Sequence, residues 1–201
     1  MKYLLFLAIG SCSLSITTFS QTAPPVEPQS VPSTTQTYVR PDPKTRFKRY
    51  ANGVAGPSAI ATQFAKAGIA TWRNSPEEWG DKWEGFGRRV ASNLGKNVIE
   101  ETAKYGLDEA LKLDSHFYRS KKRDVASKLR NALLSPVTAR DRNGKRVFGF
   151  PRIAGYYAAS ITAAEVWFPA RYDYKDGLKS GTISLGLSAV VNVFKEFVLK
   201  K

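Results

Sequence analysis

Ser75-Pro76-Glu77-Glu78-Trp79 opens the stretch 75–105, SPEEWGDKWEGFGRRVASNLGKNVIEETAKY, whose reading decides the fold. Ser75 is placed to accept from a backbone N–H three residues on. Pro76 stands at a first helical position, where a missing N–H costs nothing, and Glu78 can reach back to the Ser75 N–H. Glu77 and Glu78 both suit the positive end of a helix dipole. Trp79, Trp83, Phe86, Val90, Leu94 and Val98 follow at spacings of three and four, one helical face. Gly87, Ala91 and Gly95 recur every fourth residue on another face, with Gly106 further along. Glycine inside a helix costs roughly 1 kcal/mol relative to alanine, and close approach of a second helix is the usual compensation. The pattern predicts a long helix starting at the Ser75 cap, pressed against a neighbour through its small residues.

The same period recurs on both sides. Lys44–Tyr50 opens the ordered region with four positive charges and two aromatics, and Asn52–Ser58 reads as a turn. Ala59–Arg73 carries Ile60, Phe64, Ala67 or Gly68 and Trp72 at helical spacing. Asp124–Leu134 is a short amphipathic helix with Val125, Leu129 and Ala132 or Leu133 on one side. Asn143-Gly144 is the dipeptide favoured by two-residue hairpins and predicts a small basic hairpin or loop within Thr138–Phe150. Pro151–Phe168 repeats Gly155, Ala159 and Ala163 at four. Leu178–Leu199 puts Ile183, Leu187, Val190, Phe194 and Phe197 on one face, and Ser180, Ser184 and Ser188 on another. Its residues 183–193 also alternate as an outer-membrane barrel strand does, but the helical match runs on to Phe197. The expected class is all-α: a compact bundle of about five helices with Gly/Ala-rich packing faces and one small hairpin, in a single domain over 44–201.

Met1-Lys2, an apolar run from Tyr3 to Gly10 and a small-residue stretch ending near Ser20 read as a secretory signal peptide over 1–20. Ile9-Gly10-Ser11-Cys12 also matches a lipoprotein signal, which makes Cys12 a candidate lipidation site; an uncleaved anchor is a third reading. Cys12 is the single cysteine, so cleavage after it leaves no disulfide and no cysteine-based metal site. Residues 21–43 hold six prolines with many Ser, Thr and Gln, and read as a disordered tether.

The formal net charge is +14. Residues 119–152 contain eleven Lys/Arg and two acids, a local net charge of +9. Arg119, Lys121, Lys122, Arg123, Lys128, Arg130, Arg140, Arg142, Lys145 and Arg146 form the candidate anion- or lipid-binding patch. The signal peptide directs such a patch to an anionic membrane surface or an envelope polymer, and no nucleic acid is expected as a partner. Beyond the signal peptide and tether, the uncharged runs 51–65 and 180–194 are fifteen residues each, short of the roughly 20 needed to span a bilayer as a helix. Trp72, Trp79, Trp83 and Trp167 near helix ends suit helices that lie in an interface.

No catalytic constellation stands out. His116 is the single histidine and has no evident partner. Glu77/Glu78, Glu100/Glu101 and Asp108/Glu109 are adjacent pairs whose members point to different sides of a helix. No cofactor motif is present. A pocket of convergent polar groups around His116 or Glu165 would favour an enzyme.

Arg46-Phe47-Lys48-Arg49-Tyr50, then Trp72-Arg73-Asn74-Ser75-Pro76-Glu77-Glu78-Trp79-Gly80, and the closing Asn192-Val193-Phe194-Lys195-Glu196-Phe197 resemble a set of uncharacterised exported proteins, mostly from soil bacteria. The similarity covers most of 44–199 and carries no functional residues over. It implies an envelope location without a known enzymatic role. The resulting expectation is a non-enzymatic helical protein, exported to the periplasm or outer envelope and peripherally bound to a membrane or envelope component. The alternative is a soluble periplasmic module that binds an anionic polymer or lipid through the basic patch.

Overall fold

The computed structural model describes residues 38–198. The signal-peptide residues, Cys12 and most of the tether lie outside that range. The described chain is all-α. Its helices are α1 (Pro43–Ala55), α2 (Pro57–Trp72), α3 (Trp83–Leu111), α4 (Val125–Leu134), α5 (Phe150–Val166) and α6 (Tyr174–Phe197). A two-stranded antiparallel sheet of β1 (Thr138–Arg140) and β2 (Arg146–Phe148) joins α4 to α5. The stretch 183–193 is helix, so the barrel-strand alternative falls. No helix among the described residues is long and apolar enough to cross a membrane.

The helix beyond the expected five is α1, which runs to Ala55 and shortens the predicted 52–58 turn to a break at Gly56. Asp42 caps it by accepting from the Thr45 N–H, and Pro43 occupies its first turn. At its other end the Asn97 amide of α3 donates to the carbonyls of Gly53 (2.9 Å) and Val54 (3.1 Å). A side chain more than forty positions away thus satisfies carbonyls that Asn52-Gly53 would otherwise surrender to a turn. The domain edge also lies earlier than Lys44. The Tyr38 hydroxyl donates to Asp114 (2.6 Å), and Arg40 donates to the Asp108 and Leu113 carbonyls. Residues 38–42 therefore belong to the fold and not to a tether.

The Ser75 cap is corrected as well. Glu77–Trp79 is a single 3-10 turn, and α3 begins only at Trp83, with Lys82 at its N-cap. The reason lies within α3. Arg89, 2% exposed, donates to the carbonyls of Ser75 (2.9 Å), Pro76 (2.6 Å) and Gly80 (2.6 Å), and to the Asn74 side-chain oxygen (3.4 Å). A guanidinium offers a planar fan of donors. Gathering the 74–80 carbonyls around that fan takes them out of a helical ladder. Gly80 makes the reversal, with φ +71°, a left-handed backbone that glycine adopts without steric cost. Trp79 then rests edge-on against Phe168 (5.2 Å between centroids).

The small-residue faces divide. On α5, Gly155, Ala159, Ala163 and Ala164 are buried, and a Cβ on Gly155 would lie 2.7 Å from the Glu100 carbonyl oxygen of α3. There the two backbones meet as the spacing predicts. On α3, Gly87 and Ala91 are exposed and nothing stands within 4 Å of a Cβ built on Gly87. The close approach of α3 to α5 uses the Ser92–Lys104 side of α3, one turn and more beyond Gly87.

α6 is held at its start by a reciprocal cap. Asp173 accepts from the Asp176 N–H, and Asp176 from the Asp173 N–H. Its buried residues are Gly177, Gly181, Asn192 and Glu196, while Ile183, Leu187, Val190, Phe194 and Phe197 face outward. The hairpin also departs from the two-residue expectation. Five residues, 141–145, separate the paired Arg140 and Arg146. Asp141 Oδ1 accepts from the Asn143 and Lys145 N–H groups (2.9 and 2.8 Å), which closes the longer loop.

Candidate functional site

A polar cavity of about 410 Å³ lies between α1, α3, the 113–117 segment, α5 and α6. Arg46, Arg49 and Tyr50 come from α1. Glu100, Glu101, Lys104, Asp108 and Glu109 come from successive turns of α3. Asp114 and His116 come from the segment after α3, Arg152 and Tyr156 from α5, and Ser188, Asn192 and Lys195 from one face of α6.

Most of the acids are already answered. Glu109 takes a two-pronged bond from Arg46 (2.5 and 2.9 Å) and a third contact from Arg40 (3.3 Å). The Arg46 bond holds its carboxyl below the ordinary range. Glu101 pairs with Lys104 at 2.5 Å. Asp108 accepts from the Ser115 hydroxyl (2.8 Å), yet burial still pushes it up. Asp114 accepts from Tyr38 (2.6 Å), Tyr118 (2.7 Å) and the His116 N–H (2.9 Å), with Arg49 at 3.7 Å. Burial works upward on Asp114, but the Tyr38 and Tyr118 hydroxyls outweigh it and leave its pKa lowered. Glu100 is pushed up by burial, against the pull of Lys104, Lys66 and Arg152. Tyr156 is pushed up by burial first and Glu100 second.

His116 lines this cavity, but Asp114 does not serve it as a catalytic partner: its oxygens bond the two tyrosines and the His116 backbone. The imidazole packs edge-on against Tyr118 (5.2 Å). Burial of the ring, then the nearby Arg49 charge, draws its pKa down from 6.5 to about 4. Below 6.5 the unfolded chain takes up this proton before the native state does. The histidine's contribution to stability is therefore complete above pH 6.5 and lost as pH falls towards about 4. A proton-NMR titration of the one imidazole should give a midpoint near 4, and a midpoint near 6.5 would place the ring in open water. Glu165 is exposed near the C-terminal end of α5, away from this cavity.

The basic patch lies elsewhere and is part structure, part open surface. Arg119 donates to the Lys195 carbonyl at the end of α6. Glu196, buried beside it, accepts from the Ser120 N–H (2.9 Å) and from the Asn131 amide of α4 (3.2 Å). Lys128 sits 6.0 Å from the centre of the Phe197 ring. Arg140 lies over the rings of Tyr38 (5.4 Å) and Tyr118 (5.1 Å). Arg146 donates to Asn131, which ties β2 to α4. Burial, then Arg140 and Arg130, lower the Arg146 pKa, so these three cations crowd one another. Lys121, Lys122, Arg123, Arg130, Arg142 and Lys145 are exposed.

Arg152, Tyr156, Ser188, Asn192 and Lys195 are cavity residues that the local pattern did not single out. A signal existed in the serine stripe of α6. Ser180, Ser184 and Ser188 continue at the same spacing into Asn192 and Glu196, a polar line down the side that faces the bundle. Against protein-family models, curated proteins and solved structures, the chain finds no match.

Proposed function

We propose that this chain is a non-enzymatic helical protein of the cell envelope that lies with its apolar helix faces against a membrane. The observation that supports this is the inversion of α6. Its polar line is turned inward, while Ile183, Leu187, Val190, Phe194 and Phe197 are left outside. In water, burying such a side chain contributes about 1.5–3 kcal/mol, and a surface helix normally turns that face to the core. α2 and α3 repeat the arrangement. Gln63 and Asn97 bond each other in the interior (3.2 Å), while Trp72 and Trp83 are 87% and 85% exposed. An apolar layer outside the protein gives these faces a partner. Lys128 of α4 lies 6.0 Å from the Phe197 ring on the outer face of α6, and a basic group near an anionic leaflet contributes about 1 kcal/mol. No described helix can cross a membrane, so the mode is lying on the surface.

The test is vesicle co-sedimentation with zwitterionic lipid, with and without an anionic component, followed by a high-salt wash. Retention after the wash, with a blue shift of tryptophan emission, is expected. Serine at both Val190 and Phe194 should weaken partitioning by about tenfold or more. Full release by salt would favour the second reading, a soluble periplasmic module that holds an anionic polymer through exposed Arg123, Arg142 and Lys145. Those residues are open to solvent, as that reading requires.

A further inference from the structure

We propose that the cavity between α3, α5 and α6 is a binding site for a small oxyanion, a carboxylate or a phosphate, held by Arg152, Asn192 and Lys195. This goes beyond the membrane reading and does not depend on it, because a free anion in solution would fill the same site. The first support is Asn192, 4% exposed on the cavity wall, whose Nδ2 has no hydrogen-bond partner. A buried donor left unmade is costly, and an acceptor arriving in the cavity removes that cost.

The second support is the uneven charge of the walls. Among the described acids of the cavity, Glu109 is bound by Arg46, Glu101 by Lys104, Asp114 by Tyr38 and Tyr118, and Asp108 by Ser115. Glu100, in the same wall, feels the Arg152 charge and Glu101 that of Lys195, but neither forms an ion pair with it. Arg152, 7% exposed, donates one N–H to the Ser135 carbonyl (3.2 Å) and lines the cavity. Lys195 stands at the rim, where burial and then the Arg152 and Lys104 charges lower its pKa, only partly offset by Glu101. A guanidinium, an amide and an ammonium lining one cavity are the groups that recognise carboxylates and phosphates. The Ser188 and Tyr156 hydroxyls complete a polar lining, and about 410 Å³ is ample for a small metabolite.

The full chain is titrated with inorganic phosphate, with succinate and with dihexanoyl phosphatidic acid below its micelle concentration. Sodium chloride at equal ionic strength is the reference, and the readouts are thermal midpoint and calorimetry. Saturable stabilisation by at least one of the three is expected, with affinity reduced about tenfold or more in Lys195→Met and in Asn192→Leu. Arg73→Ala, exposed at the end of α2 and outside the cavity, should bind as wild type does. Binding of phosphate or succinate assigns a free anion, and binding of the short lipid alone assigns a headgroup. Lys195→Met, at the rim, keeps the test decisive if Asn192→Leu disturbs α6. No saturable stabilisation by any of the three overturns the site. So does binding that is indifferent to Lys195→Met or that Arg73→Ala abolishes. The vesicle experiment above can fail without altering any of these results.

Discussion

Replacing Arg89 with methionine should lower the stability of the fold by about 4 kcal/mol, the largest effect expected of any single substitution in this chain. Methionine fills much of the same space but offers no donor. The carbonyls of Ser75, Pro76 and Gly80 and the Asn74 side-chain oxygen would then lose the group that gathers them, in a place where Arg89 itself is 2% exposed. Lysine should recover only part of the loss, since one ammonium cannot span acceptors spread along a loop as a fork does. Urea denaturation followed by far-UV circular dichroism reads the change as a shift of midpoint at constant slope. Loosening of Trp79 from Phe168 should accompany it in the fluorescence spectrum. A methionine variant within 1 kcal/mol of wild type would show that the 74–80 loop is held by something other than this guanidinium.

Gly155→Leu should cost about 2–3 kcal/mol, and Gly87→Ala should add up to about 1 kcal/mol of stability. The two glycines lie on similar small-residue faces and read alike in the sequence. At Gly155 a new Cβ would stand 2.7 Å from the Glu100 carbonyl oxygen, which is backbone and can retreat only if α3 and α5 separate. At Gly87 nothing lies within 4 Å, so alanine brings its better helix propensity and no clash. Thermal or chemical denaturation of both variants is sufficient. Opposite signs are expected, and equal signs would mean that the α3–α5 contact is not the close one described.

The difference between these glycines shows where the sequence stopped being informative. Period alone identifies the faces of a helix, and it placed α2, α4, α5 and α6 near their observed bounds, the Asp124 start of α4 included. It does not say which turn of a long helix will be crossed. The local caps at Asp42 and Asp173 went unread, and a distant partner overrode the cap that was read. Ser75-Glu78 satisfies every local rule for a helix start, yet Arg89, fourteen positions on, claims the carbonyls. Asn52-Gly53 satisfies the rule for a turn, yet Asn97 closes α1 from another helix. The cavity was invisible for the same reason. Its charged groups are ordinary when read one at a time, and only packing of α1, α3, α5 and α6 makes Asn192 a donor without an acceptor.

The last turn of α6 fastens the segment after α3. The Lys195 carbonyl and the Glu196 carboxylate take hydrogen bonds from Arg119, Ser120 and Asn131. The basic loop and α4 are thus moored to the final few described residues of the chain. Trimming the protein back to Phe194 would remove three cations and one acid from its tally, but it would set that whole flank adrift, so the arrangement of the positive surface is governed by the last turn of α6.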